Sequence, residues 1–308
     1  MRKMLLLTFC VVIIPILVVT LFVSRDDTKY HYINSDVVRV KDEATGKVDK
    51  VPLEDYVKGV LAGEMPVSFE IEALKAQAVA SRSYVLIKMR DNKDSDYDVV
   101  NTTTNQVYLT DEKMRSNWKD NYDSNLKKIW AAVQDTSGEY LSYNGEIANA
   151  LFFSTSSGMT ENSEDVFISS VPYLRSVSSD WDKASPKYED TSTYTLNDFY
   201  EKLGLEYNDV LSVEVTDKSS TGRPKKVKIN GTEFTSRDLA SKLGLRSSYL
   251  SITENDKQVT IVTKGFGHGV GMSQYGAKGM AEEGYNYKEI LSYYYSGTSI
   301  KKIKNFGI

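Results

Sequence analysis

Glu64 is the residue of this chain best placed by its neighbours for acid–base chemistry. It stands between Gly63 and Met65-Pro66 in the stretch PLEDYVKGVLAGEMPVSFEIEALKAQAVASRSY, residues 52–84. Proline disfavours helical geometry in the residue before it, so a helix that reaches Glu64 has to stop there. The helix's unpaired carbonyls and the negative end of its macrodipole then lie close to the carboxylate. Partial burial acts in the same direction, because both disfavour the charged form and raise the pKa. A glutamic acid kept protonated near neutral pH can protonate a glycosidic oxygen. A solvated glutamate at a helix end is the other reading, and the pattern leaves both open.

Two further segments concentrate polar groups. Residues 265–277, GFGHGVGMSQYGA, interleave five glycines with His268, Ser273, Gln274 and Tyr275. Glycines let a backbone approach a ligand closely while the polar side chains project toward it. A tight turn entering a final helix is the plainer alternative. Residues 152–165, FFSTSSGMTENSED, offer the hydroxyls of Ser154, Thr155, Ser156 and Ser157 after a strand. A nucleophilic serine needs a base, and the chain has only His31 and His268. No Gly-x-Ser-x-Gly elbow is present, so hydrogen bonding to a ligand is expected of these serines rather than attack. No metal site is expected: no two histidines share a helix face and the carboxylates follow no Ca²⁺-loop spacing.

The elements that must position these groups follow from periodicity. Residues 36–52 alternate around Ala44-Thr45-Gly46 as a β-hairpin. Leu53, Tyr56, Val57, Val60 and Leu61 recur at helical spacing up to Glu64. A second helix carries Ile71, Leu74, Ala78, Val85 and Met89 on one side. A short strand or turn is expected over 99–110 and a helix over 122–134. Strands are expected at 139–143 and 148–154, joined by Asn144-Gly145, followed by a polar loop over 176–194. Residues 195–258 read as a separate unit with helices near 196–203 and 236–243 and strands at 210–216 and 225–230. Residues 249–263 return as strands, and the second half of 265–284 is helical. No regular βαβ alternation suggests a Rossmann sheet, and the expected class is α+β (mixed α/β).

Residues 4–23 form an uninterrupted apolar run of bilayer-spanning length, preceded by Arg2 and Lys3 and followed by Asp26-Asp27. The run exceeds a usual signal-peptide core and no small-x-small cleavage site follows it, so an uncleaved anchor is expected, with residues 1–3 cytoplasmic and 24–35 a tether; a cleaved signal peptide is the alternative. Cys10, the only cysteine, lies inside this run. The exported part therefore has neither disulfides nor thiolate chemistry and depends on its core. The whole chain carries 38 Lys and Arg against 42 Asp and Glu. Arg2, Lys3 and Arg25 belong to the anchor, which leaves 35 against 42, a net charge of −7 outside. That argues against nucleic acid or anionic lipid as the main partner. The 21 tyrosines suit sugar or peptide contacts and suit a core equally well.

The chain resembles the stage II sporulation protein D family in LEDYVKGVLAGEMP (53–66), EALKAQAVASRSY (72–84), TTTNQVY (102–108), FFSTSSGMTENSEDVF (152–167), VPYLRSVSSDWD (171–182) and GFGHGVGMSQYGAKGMA (265–281). These run in family order over nearly the whole chain. The resemblance implies a lytic transglycosylase that cuts peptidoglycan glycan strands, preferably peptide-stripped ones, during engulfment. It implies a location in the engulfing membrane of a sporulating cell, with the C-terminal part extracytoplasmic. It implies partnership with an amidase, stage II sporulation protein P, and a membrane protein, stage II sporulation protein M. The family's acid lies in the GEMP-type motif, here at Glu64, which would act first as acid and then as base. Because the muramyl C6 hydroxyl is an internal nucleophile, no second carboxylate is needed. The organisation read from the residues is a core of 36–194 and 259–308 with a smaller α/β insert, 195–258, packed on it.

Arg82, Gln106 and Tyr108 join the candidate ligand-binding residues. Arg82 would contact a lactyl carboxylate or steady Glu64 and lower its pKa, or would sit in a salt bridge elsewhere. Some relatives carry a Cys-and-His metal site before Gln-Val-Tyr, but residues 100–105 here are VNTTTN, so neither zinc nor any other cofactor is expected. A sequence-related group is described as amidase enhancers, which makes a non-catalytic glycan-binding module the alternative function.

Overall fold

The computed structural model describes residues 37–303. The expected anchor, the tether and His31 lie outside that range. Among the described residues no helix is long and apolar enough to cross a membrane. The fold is α+β, with helices and several small sheets.

The hairpin forms as strands β1 (Val37–Lys41) and β2 (Val48–Pro52), antiparallel with Val38 opposite Val51. Strand β3 (Val99–Val100) joins β1 in parallel. Helix α1 (Leu53–Glu64) follows β2 directly and ends where Pro66 requires, with Met65 extended at φ −125° and ψ 134°. Its expected stripe, Leu53, Tyr56, Val57, Val60 and Leu61, is entirely buried. Each fully buried aliphatic of this kind contributes roughly 1.5–3 kcal/mol.

Helix α2 (Ile71–Asp91) departs from the one-sided stripe expected of it and is buried nearly all round between Ala73 and Met89. Ala73, Ala76, Ala78, Ala80, Ser81 and Ser83 are small enough to admit close neighbours on every side. The helix therefore runs through the middle of the larger core. Helices α3 (Asp111–Trp118) and α4 (Tyr122–Asp135) follow. The first was not expected, although Thr110 caps it by accepting from the Lys113 amide.

Strand β4 (Glu139–Tyr143) pairs with β5 (Glu146–Ile147) around Asn144-Gly145, both at positive φ. The expected strand 148–154 does not continue this hairpin. Its end forms β6 (Phe152–Phe153), which pairs in parallel with β13 (Met272–Ser273) and so lays two of the polar segments side by side. After the one-turn helix α5 (Ser163–Val166), the expected loop 176–194 turns out to contain β7 (Glu189–Thr195). Its residues are almost all polar, so no apolar alternation marks it; backbone pairing with β12 (Gln258–Lys264) recruits it.

Helix α6 (Leu196–Leu203), strands β8 (Val213–Lys218), β9 (Pro224–Ile229) and β10 (Thr232–Thr235), helix α7 (Ser236–Lys242) and strand β11 (Leu250–Asn255) complete a second group. Leu196, Phe199, Tyr200, Val227, Ile229, Leu239, Val259 and Ile261 form its own apolar core. Helix α8 (Gln274–Glu282) and helix α9 (Tyr287–Tyr294) return to the larger core, and β14 (Ser299–Lys302) pairs with β4. Helix α9 begins with a capping box from Asn286 and Glu289.

Candidate active site

Glu64 is the last residue of α1, half-buried, and its Oε1 accepts a hydrogen bond of 2.6 Å from the Val107 amide. Burial raises its pKa; the Val107 N–H pulls the other way and loses. Among the described residues nothing donates to Oε2, so that oxygen is free to carry a proton.

Segment 105–109 lies on α1 because of two glycines one helical turn apart. A Cβ on Gly59 would stand 2.6 Å from the Leu109 carbonyl and overlap the edge of the Tyr108 ring, and one on Gly63 would overlap the Val107 carbonyl. The Leu109 amide instead reaches the Gly59 carbonyl at 3.1 Å. Tyr108 stacks on Tyr56 with centroids 5.4 Å apart, and burial pushes its hydroxyl up to about 12. Gln106 is buried, its Oε1 accepting from the Tyr56 hydroxyl at 3.1 Å, and its Nε2 has no partner among the described residues. Asn105 accepts from the Val100 amide and donates to the Tyr84 hydroxyl at 3.0 Å. Gln106 and Tyr108 thus flank the residue that holds Glu64.

Arg82 is elsewhere. Its side chain is fully buried, donating to both oxygens of Glu54 at 3.0 and 2.6 Å and to the Glu139 carbonyl at 2.8 Å. Glu54 also accepts from the Gly138 amide. Arg82 therefore clamps α1, α2 and β4 together and leaves the Glu64 pKa to burial.

Segments 152–165 and 265–277 do come together, and many of their side chains are spent on each other. The Thr155 and Phe266 amides exchange hydrogen bonds with each other's carbonyls, and the Glu161 amide donates to Gly269. Gly265, Gly267, Gly269 and Gly271 all sit at positive φ, and a Cβ on Gly271 would collide with the Leu151 carbonyl. Ser156 and Ser273 each donate to the buried carboxylate of Asp182 at 2.6 Å, as does Ser179, which also meets the Tyr294 hydroxyl. Ser273 also caps α8 through the Gly276 amide. Both serines are fully engaged inside the fold. Asp182 was not among the expected residues; only its place in VSSDWD pointed to it.

His268 is wedged between the rings of Phe153 and Phe167, each 5.6 Å away, and its Nδ1 accepts from the Val270 amide. Burial, helped by Arg223, pushes its pKa down to about 4. It is a neutral packing group and, among the described residues, is bonded to no serine. Ser154 Oγ faces Thr155 at 3.4 Å and Ser157 is half-buried, its carbonyl accepting from Tyr188. Tyr275 stands edge-on to Phe69, 5.0 Å away, on the turn that leaves Glu64. Gln274 reaches Gln77 on α2 at 3.5 Å. Among the described residues no group of three or more His, Cys, Asp or Glu is placed to hold a metal ion. The arrangement provides one half-buried carboxylic acid, able to give up a proton from Oε2 and then to take one back.

A family model described as Stage II sporulation protein matches residues 41–143. Stage II sporulation protein D of Bacillus subtilis (strain 168) is 43% identical over 268 residues, which covers 85% of this chain and 78% of that protein. The protein of the same name from Bacillus amyloliquefaciens is 44% identical over 266 residues, covering 84% and 77%. An Amidase enhancer of Bacillus subtilis (strain 168) is 32% identical, matching 79% of this chain but 40% of its own length.

Proposed function

Since the chain belongs to the stage II sporulation protein D family, we propose that it is a lytic transglycosylase of the sporulating cell, cleaving MurNAc–GlcNAc bonds in peptide-stripped glycan strands. The observation that carries this reading is Glu64: half-buried, raised in pKa, bonded through Oε1 to Val107 and free at Oε2.

Protonated Glu64 donates its proton to the glycosidic oxygen as the bond to muramyl C1 breaks, with an oxocarbenium-like transition state. The carboxylate left behind takes the proton from the muramyl C6 hydroxyl while O6 attacks C1. A 1,6-anhydro ring closes and Glu64 is protonated again, so protons balance over the cycle. Among the described residues no charged side chain contributes to the Glu64 shift, which suits a mechanism without a second carboxylate. Residues 4–23 would anchor the chain with its catalytic part outside the cytoplasm. The amidase and membrane partners implied by the family, stage II sporulation proteins P and M, would act beside it.

The Amidase enhancer relative favours a second reading, a glycan-binding module that stimulates a partner amidase without cutting glycan itself. Incubating the full-length chain with stripped strands separates the two. Release of anhydro-muramyl products, abolished in Glu64→Gln with binding retained, supports the enzyme. Binding without products from the intact chain supports the enhancer.

A further inference from the structure

A cleft of about 770 Å³, within the range of small-ligand sites, is lined by Tyr84 and Lys88 of α2, by Phe167 and Ile168, and by Arg237 of α7. The Tyr84 hydroxyl accepts from Asn105, two residues before the Val107 amide that holds Glu64. Tyr84 thus links the wall of the cleft, through Asn105, to the segment that holds Glu64.

Its charges are unevenly matched. Glu164 and Asp165 also line it, but Glu164 is paired with Arg175, and Asp165 with Lys225 at 3.4 Å. Lys88 and Arg237 have no carboxylate partner among the described residues. Lys88 lies over the Tyr84 ring and Arg237 over that of Phe167, contacts that hold the cations in place without neutralising them. Between them Phe167 is partly exposed and Ile168 wholly so. Exposed apolar side chains in a concave site mark a binding surface, here one suited to the C–H faces of sugar rings.

We infer that Lys88 and Arg237 recognise free carboxylates along the glycan strand, the lactyl groups that muramyl residues expose once their peptides are removed. The inference rests on the glycan-cleaving reading for its substrate. While the peptide is attached, the lactyl carbonyl is an uncharged amide; hydrolysis of that amide creates one negative charge per muramyl residue. Lys88 on α2 and Arg237 on α7, whose guanidinium donates to the Val166 carbonyl at 2.7 Å but meets no carboxylate among the described residues, read that change by charge, which makes them specificity-determining residues distinct from the acid.

The test uses the full-length Glu64→Gln chain, so that ligand is bound and not consumed. Its probes are an alternating GlcNAc–MurNAc tetrasaccharide with free lactyl carboxylates and the same sugar with those groups converted to methylamides. The acid form is expected to bind more tightly, by a margin that shrinks as salt is raised. Adding Lys88→Gln or Arg237→Gln should each weaken binding of the acid form about three- to tenfold, as for partly exposed charge pairs, and leave the amide form unchanged. A merely structural role would weaken both forms alike, and that result overturns the assignment, as does equal binding of the two sugars or binding of neither. Product release from the chain with Glu64 intact is measured separately. Discrimination without products would sink the transglycosylase reading and leave the cleft assignment standing.

Discussion

The backbone of Val107 lies directly on Gly63, where a Cβ would overlap its carbonyl oxygen. The same residue's amide holds Glu64 Oε1. Gly63→Ala is therefore expected to push segment 105–109 off α1 and to break the Glu64 hydrogen bond without unfolding the larger core. Misplacement by about 1 Å can reduce turnover on the order of 10²-fold. Product release falling by that factor, with a melting temperature within a few degrees of the parent, is the expected outcome. A fully active Gly63→Ala chain would show that the contact does not position the acid.

The raised pKa of Glu64 ties both activity and stability to pH. Only the protonated acid can donate, so activity should persist above the ordinary glutamate value of 4.5 and fall as pH rises through the folded-state value. Below 4.5 folded and unfolded chains are both protonated and the group contributes nothing. Between 4.5 and the raised value the folded chain binds more protons, so its stability falls as pH rises. Glu64→Gln cannot titrate. Its melting temperature relative to the parent should climb from acid to neutral pH; a margin that stays flat with pH would contradict the assigned shift.

Much of this was legible in the residues, for identifiable reasons. The helix from Leu53, its stop before Pro66 and the polar segments around Ser154 and Gly265 rest on local rules that tertiary contacts did not override. Helices at 111–118 and 287–294 were missed even though Thr110 and the Asn286–Glu289 pair mark their starts. Strand β7 was missed because Glu189–Thr195 has no apolar face to announce it. The roles of Arg82, Ser156 and Ser273 were not readable, since their partners, Glu54 and Asp182, lie 26 to 91 residues away in the chain. Gly59 and Gly63 show their purpose only when segment 105–109 is seen lying on them.

Arg82 supplies a test that separates clamping from substrate binding. Removing one partner of a buried ion pair typically costs about 3–5 kcal/mol, because the other charge is left unpaired. Arg82→Ala should lower unfolding stability by that amount in a urea titration and leave the KM of the remaining folded chain unchanged. Replacing Arg82 and Glu54 together should destabilise less than the single change does. A raised KM with parental stability would return Arg82 to the ligand-binding residues.

Asp182 joins three segments through Ser156, Ser179 and Ser273. Hydrogen bonds to a charged group contribute about 1.5–3 kcal/mol each, and Asp182→Ala leaves three buried hydroxyls without their acceptor. The expected loss is several kcal/mol, with segments 152–165 and 265–277 gaining hydrogen-exchange rate together. Exchange confined to one segment would contradict the shared anchor.

His268 gives the clearest prediction in acid. In the unfolded chain it titrates near its ordinary 6.5, whereas in the fold burial and Arg223 hold it at about 4. Between those values the unfolded chain binds the extra proton, so stability is lost as pH falls from 6.5 toward 4. Packed between Phe153 and Phe167, the neutral ring also contributes no inflection to activity near 6.5. His268→Gln should be less stable than the parent at neutral pH, having lost the aromatic contacts, and the gap should narrow as the solution is acidified. The C2 proton of the imidazole, followed by NMR, should stay at its neutral shift down to about pH 5. A midpoint near 6.5 would mean that the ring is open to solvent and available as a base after all.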